Sequence, residues 1–580
     1  TPNPKPQTPN PIYLLFAYST DIFENNSSMK VLLVSILCLG VLGAEPDAKL
    51  LKKIFEFMEG ESANQKLLSE VIESGSIGGF FSSEEIFGIF DALQAKNPGF
   101  VRRQVIGKTF EGRKIPAYTL SSSFEAGINH QKSKVLFTGA HHARELLTPT
   151  ICLKIFLEAV YSLRHRETGE EYWRFNEVII VPVVNIDSHR AITDSFGTSR
   201  WEETKWKRKN MNSEYCPQGQ NGVDLNRNYG YHFGEDADDL DPCAETFRGP
   251  TAFSEPETSA IRDLVEKQGG LISSAMNFHS YGNIWIHPFN YMKATRAFPE
   301  RFSQSIQRFY SEFGEEVAKV SAAMYGNAIK TVQYATDGEA SDWMLGEHGI
   351  VAFSPELGSQ NPLAQSFFIP NNLINEVIHE NFSVIRLFLQ KNVFRPDAFW
   401  FAFDNKWRLS LGFRNSGLTT LFDPIFKIQS DNLKFLDAVS IVRSLNADLD
   451  ESTPRFSLDR QKNELRVQIR RIDRLSDYRL VLEFKNKDAK LENAKLNIDL
   501  LFPWGEKIAS FSANHRGQTP LKIMTFLLFS LAVVALAVTG AFILAKKIEL
   551  NPSKSKKHTS PPPKQQIDLE QNITVADSEI

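Results

Sequence analysis

The sequence predicts an α/β fold with a mixed sheet flanked by helices, then an all-β, sandwich-like domain and a single transmembrane helix. Apolar strand-like segments alternate with helix-like segments over residues 82–391, which is the pattern of α/β folds. Apolar and polar residues alternate with period two over 392–515, as in half-buried antiparallel strands. Residues 523–545 form an uncharged apolar run of about 23 residues, long enough to cross a bilayer.

Helix-start signals set the limits of elements within the α/β region. Ser82 and Glu85 form a capping box, which predicts a helix that ends at residues 97–99, Asn-Pro-Gly. Thr148 followed by Pro149 predicts a second helix start, an N-cap with proline at the first helical position. Strands are predicted near 116–120, 134–138, 177–185, 272–279 and 350–354, and helices near 149–164, 256–268, 299–319 and 370–390.

The segments before this region have the composition of a processed N-terminus. Residues 1–28 are rich in proline and asparagine and precede the first methionine, so we expect them to be a non-native leader. Residues 29–44 combine a lysine, a short apolar run and a small-residue end, which predicts a secretory signal peptide. Residues 45–81 are expected to hold one helix, about Ala48 to Met58, and a linker.

The C-terminal part predicts a type I membrane topology. Residues 392–515 contain no cluster of side chains that could do more than pack or bind. The sequence therefore does not indicate a partner for this β domain. Five lysines follow the apolar run 523–545, and the positive-inside rule therefore places the tail in the cytosol. The tail, 546–580, has the proline-rich polar composition of a disordered segment.

Composition excludes some classes of partner. The chain has 580 residues, of which 42% are hydrophobic and 23% charged, so it can bury a large core. The formal net charge of −4 shows no basic excess, and we expect no nucleic acid partner. Of the four cysteines, Cys38 lies in the predicted signal peptide and Cys152 on an apolar helix face, so we expect one disulfide bond and no disulfide scaffold.

A His-x-x-Glu pair follows the predicted strand 134–138. His142 and Glu145 lie in a strand-to-helix loop, where an imidazole and a carboxylate three residues apart can converge on one metal ion. The neighbouring His141 is an alternative ligand, but the spacing to Glu145 favours His142. Alone, this short motif is more typical of a solvated loop with a carboxylate at a helix start.

Two more polar side chains occur at predicted strand ends. His279 closes the strand near 272–279, and Glu356 follows the strand near 350–354. Ligands gather at the carboxyl ends of strands in open α/β sheets, so these groups are expected near the His-x-x-Glu loop. Two histidines and one carboxylate, with a fourth position open, form a catalytic rather than a structural zinc site. The predicted ligands are His142, Glu145 and His279.

Taken together, these motifs resemble those of the zinc metallocarboxypeptidases of the carboxypeptidase A/B type. The family pattern occurs in order over residues 82–391. It comprises Gly139–Glu145, Arg208–Asn210, Gly222–Asn228, His279–Tyr281, Tyr334, Asp342-Trp343 and Glu356. The resemblance implies one Zn²⁺ per chain and peptide or protein C-termini as substrates. It also implies a disulfide between Cys216 and Cys243, which flank the Asn-Arg motif where such enzymes carry one.

The resemblance implies a role for each site residue. Glu356 is expected to take a proton from the zinc-activated water and pass it to the leaving amine, and Arg208 to polarise the scissile carbonyl. Asn226 and Arg227 are expected to bind the C-terminal carboxylate of the substrate. Further expected substrate contacts are Arg144, which touches the next residue or the carboxylate in transit, Tyr334, which closes over the bound end, and Ser341, at a position that often decides side-chain preference.

Substrate preference and activity have open alternatives. Ser341 is neither a long aliphatic residue nor an acid, so it does not define a preference. Glu339 would favour a basic C-terminal residue if it points inward, and would have no such effect if it faces water. The alternative functions are a catalytically silent receptor or adhesion protein on the same fold, and a zinc hydrolase for amide bonds in cell-wall peptides.

Overall fold

The centre of the fold is a mixed β-sheet covered by helices. The computed structural model describes residues 47–514 except for gaps at 61–63, 123, 125–131, 166–175, 217–220, 236–239, 293–297, 300–303, 394–395, 406–407, 420, 423, 431–437, 445–454, 460–463, 469–470, 473–474, 485–494 and 502–506. The expected leader, signal peptide, transmembrane helix and tail (1–28, 29–44, 523–545 and 546–580) lie outside the described residues. No helix in the described part is long and apolar enough to span a bilayer.

Helices and strands alternate up to residue 391. The helices are α1 (Ala48–Glu59), α2 (Gln65–Ile72), α3 (Ser83–Lys96), α4 (Leu147–Arg164), α5 (Ile186–Ser195), α6 (Trp201–Thr204), α7 (Pro256–Lys267), α8 (Gln304–Val320), α9 (Ala328–Thr331), α10 (Ala340–His348) and α11 (Asn371–Lys391), with 3₁₀ turns at Leu225–Arg227 and Pro362–Ala364. The strands are β1 (Val101–Lys108), β2 (Lys114–Leu120), β3 (Ser133–Thr138), β4 (Asn176–Val181), β5 (Ile272–Asn277), β6 (His279–Ser280), β7 (Ile284–Ile286), β8 (Met324–Gly326) and β9 (Val351–Leu357).

The sheet order brings the expected site residues to one edge. The order is β1-β2-β4-β3-β5-β9-β7-β8, with β6 paired to β9. Strands β4, β3, β5 and β9 run parallel in the centre, whereas β1, β2 and β7 pair antiparallel. Every residue of β5 is buried, as expected for a strand covered on both faces. The predicted mixed α/β sheet is confirmed, and its parallel strands end next to one another.

Several element boundaries differ from the predicted ones. We predicted a strand that continues to residue 185 and is followed by a turn. Instead, strand β4 ends at Val181, and the chain turns at Asn185 into helix α5. Helix α4 begins at Leu147, so the predicted N-cap at Thr148 is wrong. Glu356 lies inside β9 instead of after it. Helices α2 and α10 and strand β1 were not predicted.

The start of the α/β region is fixed as the capping box predicts. The Ser82 hydroxyl accepts from the Glu85 backbone N–H at 3.2 Å, and the Glu85 carboxylate accepts from the Ser82 N–H at 2.8 Å. Before it, α1 buries Leu50, Ile54 and Phe57 along one face, which is the spacing of an amphipathic helix. These N-terminal helices pack on α4.

A β-sheet region follows α11. Its strands are β10 (Pro396–Asn405), β11 (Arg408–Asn415), β12 (Leu421–Phe422), β13 (Ile425–Ser430), β14 (Ala438–Ser444), β15 (Arg455–Asp459), β16 (Glu464–Gln468), β17 (Arg471–Ile472), β18 (Ser476–Phe484), β19 (Lys495–Leu501) and β20 (Lys507–Asn514). They form sheets in the orders β10-β11-β18-β14, β12-β17 and β15-β16-β13-β19-β20, all antiparallel. The sandwich arrangement and the boundary at 392 stay predictions.

Period-two alternation in this region matches the structure where side chains are described. In β16, Leu465 and Val467 are buried while Arg466 between them is exposed. A polar contact joins the region to the central sheet, where Thr419 Oγ1 donates to Asn176 Oδ1 at 3.1 Å and Asn176 bonds the carbonyl of Asn392. The β-sheet region is therefore hydrogen-bonded to the base of β4.

The expected disulfide is confirmed. Cys216 and Cys243 are bonded, and their sequence separation is 27 residues. Cys152 remains a free thiol, buried in α4. The covalent loop contains the segment that carries Asn226 and Arg227.

Candidate metal centre and active site

Three donor atoms converge at the carboxyl edge of the central strands. His142 and Glu145 lie in the loop between β3 and α4, and His279 begins β6. His142 Nδ1 is 2.7 Å from Glu145 Oε1 and 3.1 Å from His279 Nδ1, and the latter is 3.1 Å from Glu145 Oε2. All three residues are buried, and one ligand atom from each lies within 4.8 Å of the others. The structure therefore brings together the three predicted ligands.

The loop that carries two of these ligands is held by tight packing. A side chain at Gly139 would place its Cβ 2.6 Å from the carbonyl oxygen of Pro182, so only glycine fits there. Thr148 has a role different from the predicted N-cap: its hydroxyl accepts from the Ala140 N–H and donates to the Glu145 carbonyl, each at 2.8 Å. This hydroxyl closes the loop, because it bonds both of its ends.

The charges of the three groups suit a divalent metal. Burial alone would raise the pKa of Glu145, but its interactions with His142 and His279 outweigh burial and hold that pKa below its usual range. Burial lowers the pKa of His279, partly offset by Glu145, which favours the neutral imidazole that binds metal. Two imidazole nitrogens and one carboxylate fit a zinc ion.

Asp224 connects the metal ligands to the cationic side of the site. Its carboxylate is fully buried. Oδ1 lies 2.9 Å from His142 Nε2, and Oδ2 accepts from Arg208 Nε at 2.9 Å and Nη2 at 2.7 Å. A proton on Nε2 leaves the His142 Nδ1 lone pair facing Glu145 and His279. Burial would raise the pKa of Asp224, but Arg208 and His142 hold it well below its usual range.

Contacts of the basic run at 207–209 show which of its three side chains enters the site. Lys207 Nζ donates to the Asn221 carbonyl at 2.6 Å, and Lys209 Nζ donates to the Ala244 carbonyl at 2.7 Å. Arg208 alone enters the site, with Nη1 3.1 Å from His142 Nδ1. Burial would lower its pKa, but Asp224 and Glu145 raise it further, so Arg208 stays cationic.

Glu356 lies beside the metal ligands without being one of them. It pairs in register with His279 across β6 and β9. Burial raises the pKa of Glu356 well above its usual range, and the nearby Glu145 adds to this, while Arg208 opposes it. Within the described part of the chain, no group donates a hydrogen bond to its carboxylate. Both of its oxygens are therefore available to a water molecule or a substrate.

Asn226 and Arg227 lie on the other side of Asp224. Both are buried on the 3₁₀ turn that Asp224 caps, since the Asn226 N–H donates to Asp224 Oδ1 at 2.9 Å. Arg227 Nη1 donates to the Asn226 carbonyl at 2.9 Å. The positive charge of Arg227 lowers the pKa values of both Asp224 and Glu356, which places the guanidinium within electrostatic reach of the metal ligands.

Glu339 points inward, so the alternative that it faces water is wrong. It is buried and caps helix α10, accepting from the N–H groups of Ser341 at 2.9 Å and Asp342 at 3.0 Å. Its other oxygen lies 3.4 Å from Asn226 Nδ2. Ser341 is buried and donates its hydroxyl to Glu339 at 2.6 Å. The predicted specificity position thus contacts a carboxylate.

The remaining predicted residues have partners or exposure of their own. Arg144 Nη1 donates to the Trp206 carbonyl and to Glu245, each at 3.1 Å. Tyr334 is 56% exposed, and its contact with the substrate stays a prediction. His141 is buried and bonds Tyr229 OH at 2.8 Å, which agrees with its exclusion as a ligand.

The fold and the three converging donor groups define a class of α/β proteins that can bind a metal ion. A family model described as zinc carboxypeptidase matches residues 86–384, and the chain belongs to that family. The metal of this family is zinc, and His142, Glu145 and His279 form a cluster of donor groups that could hold such an ion.

Individual relatives match part of the chain. It is 30% identical to a metallocarboxypeptidase A-like protein of Trichophyton verrucosum, over 43% of this chain and 56% of that one. It is 28% identical to carboxypeptidase B of Homo sapiens, over 51% and 66%. The chain thus spans less than two thirds of the length of these two relatives. A solved structure, carboxypeptidase A of Helicoverpa armigera, is similar at 23% identity with a TM-score of 0.46, covering 62% and 85%.

Asp224→Asn should weaken zinc binding about 10- to 100-fold, because a neutral amide no longer holds the His142 imidazole in its ligand orientation. Competition with a chromophoric chelator measures the dissociation constant. Asp187→Asn is the matched control, since Asp187 is also buried and paired with an arginine, Arg113, at 2.6 Å. Equal zinc affinity in Asp224→Asn and wild type would contradict the positioning role.

Proposed function

We propose that this chain is a zinc-dependent metallocarboxypeptidase that hydrolyses the C-terminal peptide bond of peptides or proteins. The observation that carries this proposal is the convergence of His142, Glu145 and His279 beside Glu356 and Arg208. These side chains provide a metal site, a free carboxylate and a cation in one place. Metal-assisted hydrolysis of an acyl bond uses these three components.

Each component has a task in hydrolysis. Zinc, when bound, lowers the pKa of a coordinated water and polarises the carbonyl. Glu356 takes the proton of the attacking water and delivers it to the leaving amine, and its raised pKa favours this acceptor-then-donor role. Arg208 stabilises the negative charge that develops on the carbonyl oxygen, and Asp224 holds the guanidinium in place for this.

Arg227 and Asn226 restrict the reaction to chain ends. A guanidinium matches a carboxylate with two parallel hydrogen bonds, so a free C-terminus is the natural ligand of the buried Arg227. Anchoring the terminal carboxylate there places the last peptide bond near Arg208 and Glu356. This arrangement supports an exopeptidase, and it applies equally to cell-wall peptides that present a free carboxylate.

The catalytically silent receptor is not favoured. A scaffold that had lost activity would have no need to keep a buried charged cluster, because isolated buried charges are costly. Here Glu145, Asp224, Arg208 and Glu356 are all retained. The complete set supports the enzyme.

Glu356→Gln should keep about one zinc per chain and lose several orders of magnitude in turnover, because an amide cannot accept the proton of water. His142→Ala and His279→Ala should instead lose the metal. Metal content by atomic absorption and turnover of a free-acid peptide measure the two effects separately. The exposed Glu380→Gln serves as control. Full activity in Glu356→Gln would refute the general-base assignment.

Arg227→Ala should lower kcat/KM for free-acid peptides by about a hundredfold, since the charge-assisted anchor is worth roughly 2–3 kcal/mol in a closed site. The loss should vanish for the same peptide with an amidated C-terminus, because neither enzyme can then use the anchor. Rates on the two peptides are compared for wild type and variant. If wild type cuts amidated and free-acid peptides equally well, the carboxypeptidase assignment is wrong.

The substrate preference that we propose is for a basic C-terminal residue. Glu339 is buried next to Asn226, and no cationic side chain of the described residues lies within ion-pair distance of it. Burial and the charge of Glu339 raise the pKa of the neighbouring Asp342 well above its usual range. Among the described residues Glu339 thus has no cationic partner, and a lysine or arginine of the substrate would supply one.

Wild type should cleave C-terminal lysine at least tenfold faster, in kcat/KM, than C-terminal leucine. Glu339→Gln should remove most of this preference while retaining an acceptor for the helix cap, because the charge is lost and one oxygen remains. Kinetics on two peptides that differ only in the last residue test this. Equal preference in variant and wild type would reject Glu339 as the determinant, and unfolding of the variant is checked by circular dichroism.

We also propose that the protein is a type I membrane protein of the secretory pathway. The support is the signal-like segment 29–44, the apolar run 523–545 and the lysines after it. The disulfide is consistent with an oxidising compartment.

Protease added to intact cells or sealed vesicles should leave only a tail-sized C-terminal fragment protected. The reason is that residues 45–522 would face the exterior or lumen and 546–580 the cytosol. Immunoblotting with an antibody to the tail measures the fragment, and detergent lysis should abolish its protection. Protection of residues 82–391 in intact vesicles would overturn the topology.

A further inference from the structure

Two buried glutamates at the start of helix α7 take no part in the mechanism proposed above. Glu255 is the residue before the helix, Glu257 lies in its first turn, and both are fully buried. Both side chains accept from one amide group, since Asn210 Nδ2 is 2.7 Å from Glu255 Oε2 and 3.1 Å from Glu257 Oε2. Two carboxyl groups thus meet on a single nitrogen inside the protein.

No cationic side chain of the described residues pairs with either carboxyl group. Their other partners are neutral donors. Glu255 accepts from Asn212 Nδ2 at 3.0 Å and from the Ser254 hydroxyl at 2.9 Å, and Glu257 accepts from the Phe110 N–H at 2.8 Å. Burial of two like charges without a counter-ion is costly, so this pair retains a proton under conditions where an exposed glutamate has lost it.

The pKa of Glu257 agrees with this arrangement. Burial is the largest cause and raises the pKa to about 7, the hydrogen bonds from Phe110 and Asn210 lower it in part, and the charge of Glu255 raises it. Tyr215 stays a neutral phenol beside Glu255, because burial and that charge raise its pKa. The other charged groups on the elements packed around the pair are exposed or have partners of their own; they are Lys108, Glu111, Arg113, Asp187, Lys209 and Glu214.

Asn210 connects the carboxyl pair to the proposed catalytic side chains. It is buried and lies two residues after Arg208. Its Oδ1 accepts from the Val223 N–H at 2.9 Å, and its own N–H donates to the Val223 carbonyl at 3.1 Å. Val223 precedes Asp224, the carboxylate that bonds both Arg208 and His142. One side chain therefore ties the pair to both segments that meet in the ion pair of Arg208 and Asp224.

The backbone around Asn210 is closely packed. A Cβ at Gly222 would lie 2.0 Å from the Asn210 carbonyl oxygen. From helix α5, the Ser188 hydroxyl donates to the Lys209 carbonyl at 2.8 Å. Because closely packed groups transmit strain, a displacement of Asn210 is passed on to the neighbouring segments.

We propose that Glu255 and Glu257 share one proton, that this protonated pair positions Arg208 and Asp224 through Asn210, and that its ionisation sets the alkaline limit of activity. The proposal rests on the carboxypeptidase function proposed above. When the proton passes to solvent, two adjacent anions remain on one amide and repel each other, and Asn210 can follow only one of them. The Arg208 guanidinium then loses its position for the carbonyl oxygen, so kcat falls while KM changes little.

The test follows kcat and KM for a free-acid peptide between about pH 5.5 and about pH 9, with full-length protein. Wild-type kcat should fall with a midpoint near pH 7, the pH at which Glu257 ionises. In Glu257→Gln the midpoint should rise by about one pH unit or more, because the amide keeps an acceptor for Phe110 and a donor for Glu255 without a charge. Glu255→Gln, which leaves one carboxylate on Asn210, should do the same.

The direction of the shift separates this role from a merely structural one. A side chain that only supports the fold would lower kcat at every pH when it is replaced, whereas these variants should gain activity relative to wild type above pH 7. An unshifted midpoint in both variants would overturn the proposal. So would restoration of wild-type kcat at alkaline pH by calcium, because the pair would then hold a cation instead of a proton.

Two variants serve as matched controls. Asp187→Asn removes the other buried carboxylate that holds the turn between β1 and β2, where it accepts from the Glu111 N–H at 2.8 Å. Glu266→Gln removes an exposed carboxylate from the same helix as Glu257. Both should keep the wild-type midpoint. If Asp187→Asn shifts it as far as Glu257→Gln does, the turn and not the shared proton sets the limit, and the proposal is wrong.

Two readouts without substrate distinguish failure of the proposed function from failure of the pair. If wild type cleaves no free-acid peptide at any pH, the carboxypeptidase function has failed. Infrared difference spectra of wild type minus Glu257→Gln then decide the pair. A protonated carboxyl band at about pH 6 that disappears at about pH 8.5 supports the shared proton, and its absence at both pH values overturns it.

Thermal unfolding gives the second readout. The pKa of Glu257 is raised in the folded chain, so its stabilising contribution is complete below pH 4.5, the ordinary pKa of glutamate, and is lost as the pH rises to about 7. The Tm of Glu257→Gln should therefore rise relative to that of wild type between about pH 5 and about pH 8. A Tm difference that does not change with pH would contradict the shared proton.

Discussion

The site depends on one buried carboxylate, that of Asp224. It bonds the imidazole of a metal ligand, His142, the guanidinium of Arg208 and the backbone of Asn226 at once. A buried anion is stable only when such partners surround it, and removal of any one leaves a charge without compensation. Because His142, Arg208 and the turn that carries Asn226 share this anion, their relative positions are fixed by the fold itself. Catalysis gains most from groups that need no rearrangement in the transition state.

Two carboxyl groups near this anion, those of Glu145 and Glu356, differ in their proton affinity. Glu145 and Glu356 are both buried carboxyl groups in one cluster, yet their pKa values move in opposite directions. Glu145 lies between two imidazoles and is held ionised as a ligand, whereas Glu356 has mainly burial and a neighbouring anion around it and gains affinity for protons. Two carboxyl groups with pKa values pushed apart by their surroundings are typical of a ligand and a proton carrier in the same site.

Much of this was predictable from local sequence, and the failures have physical causes. Short apolar runs predicted the central strands, because buried parallel strands need such runs, and the His and Glu residues that close or follow two of these runs predicted the three ligands. Helix α10 was missed since the residues Ala340 to Leu345 are all buried, which leaves no polar face to reveal a period. Asp224 was given no role, although it lies two residues before Asn226, because its partners come from segments 82 and 16 residues away. Such contacts are tertiary, and no local pattern encodes them.

The disulfide has a consequence for survival among other proteases. The loop that it closes, from Cys216 to Cys243, contains Asp224, Asn226 and Arg227. A single cut in the backbone anywhere between the two cysteines leaves both fragments covalently joined, and surface loops are where such nicks begin. The tethered ends keep an effective concentration in the millimolar range, as short links do, so a nicked molecule can hold its parts together. A cut in this loop would then separate the two fragments only after a second cut or after reduction of the disulfide.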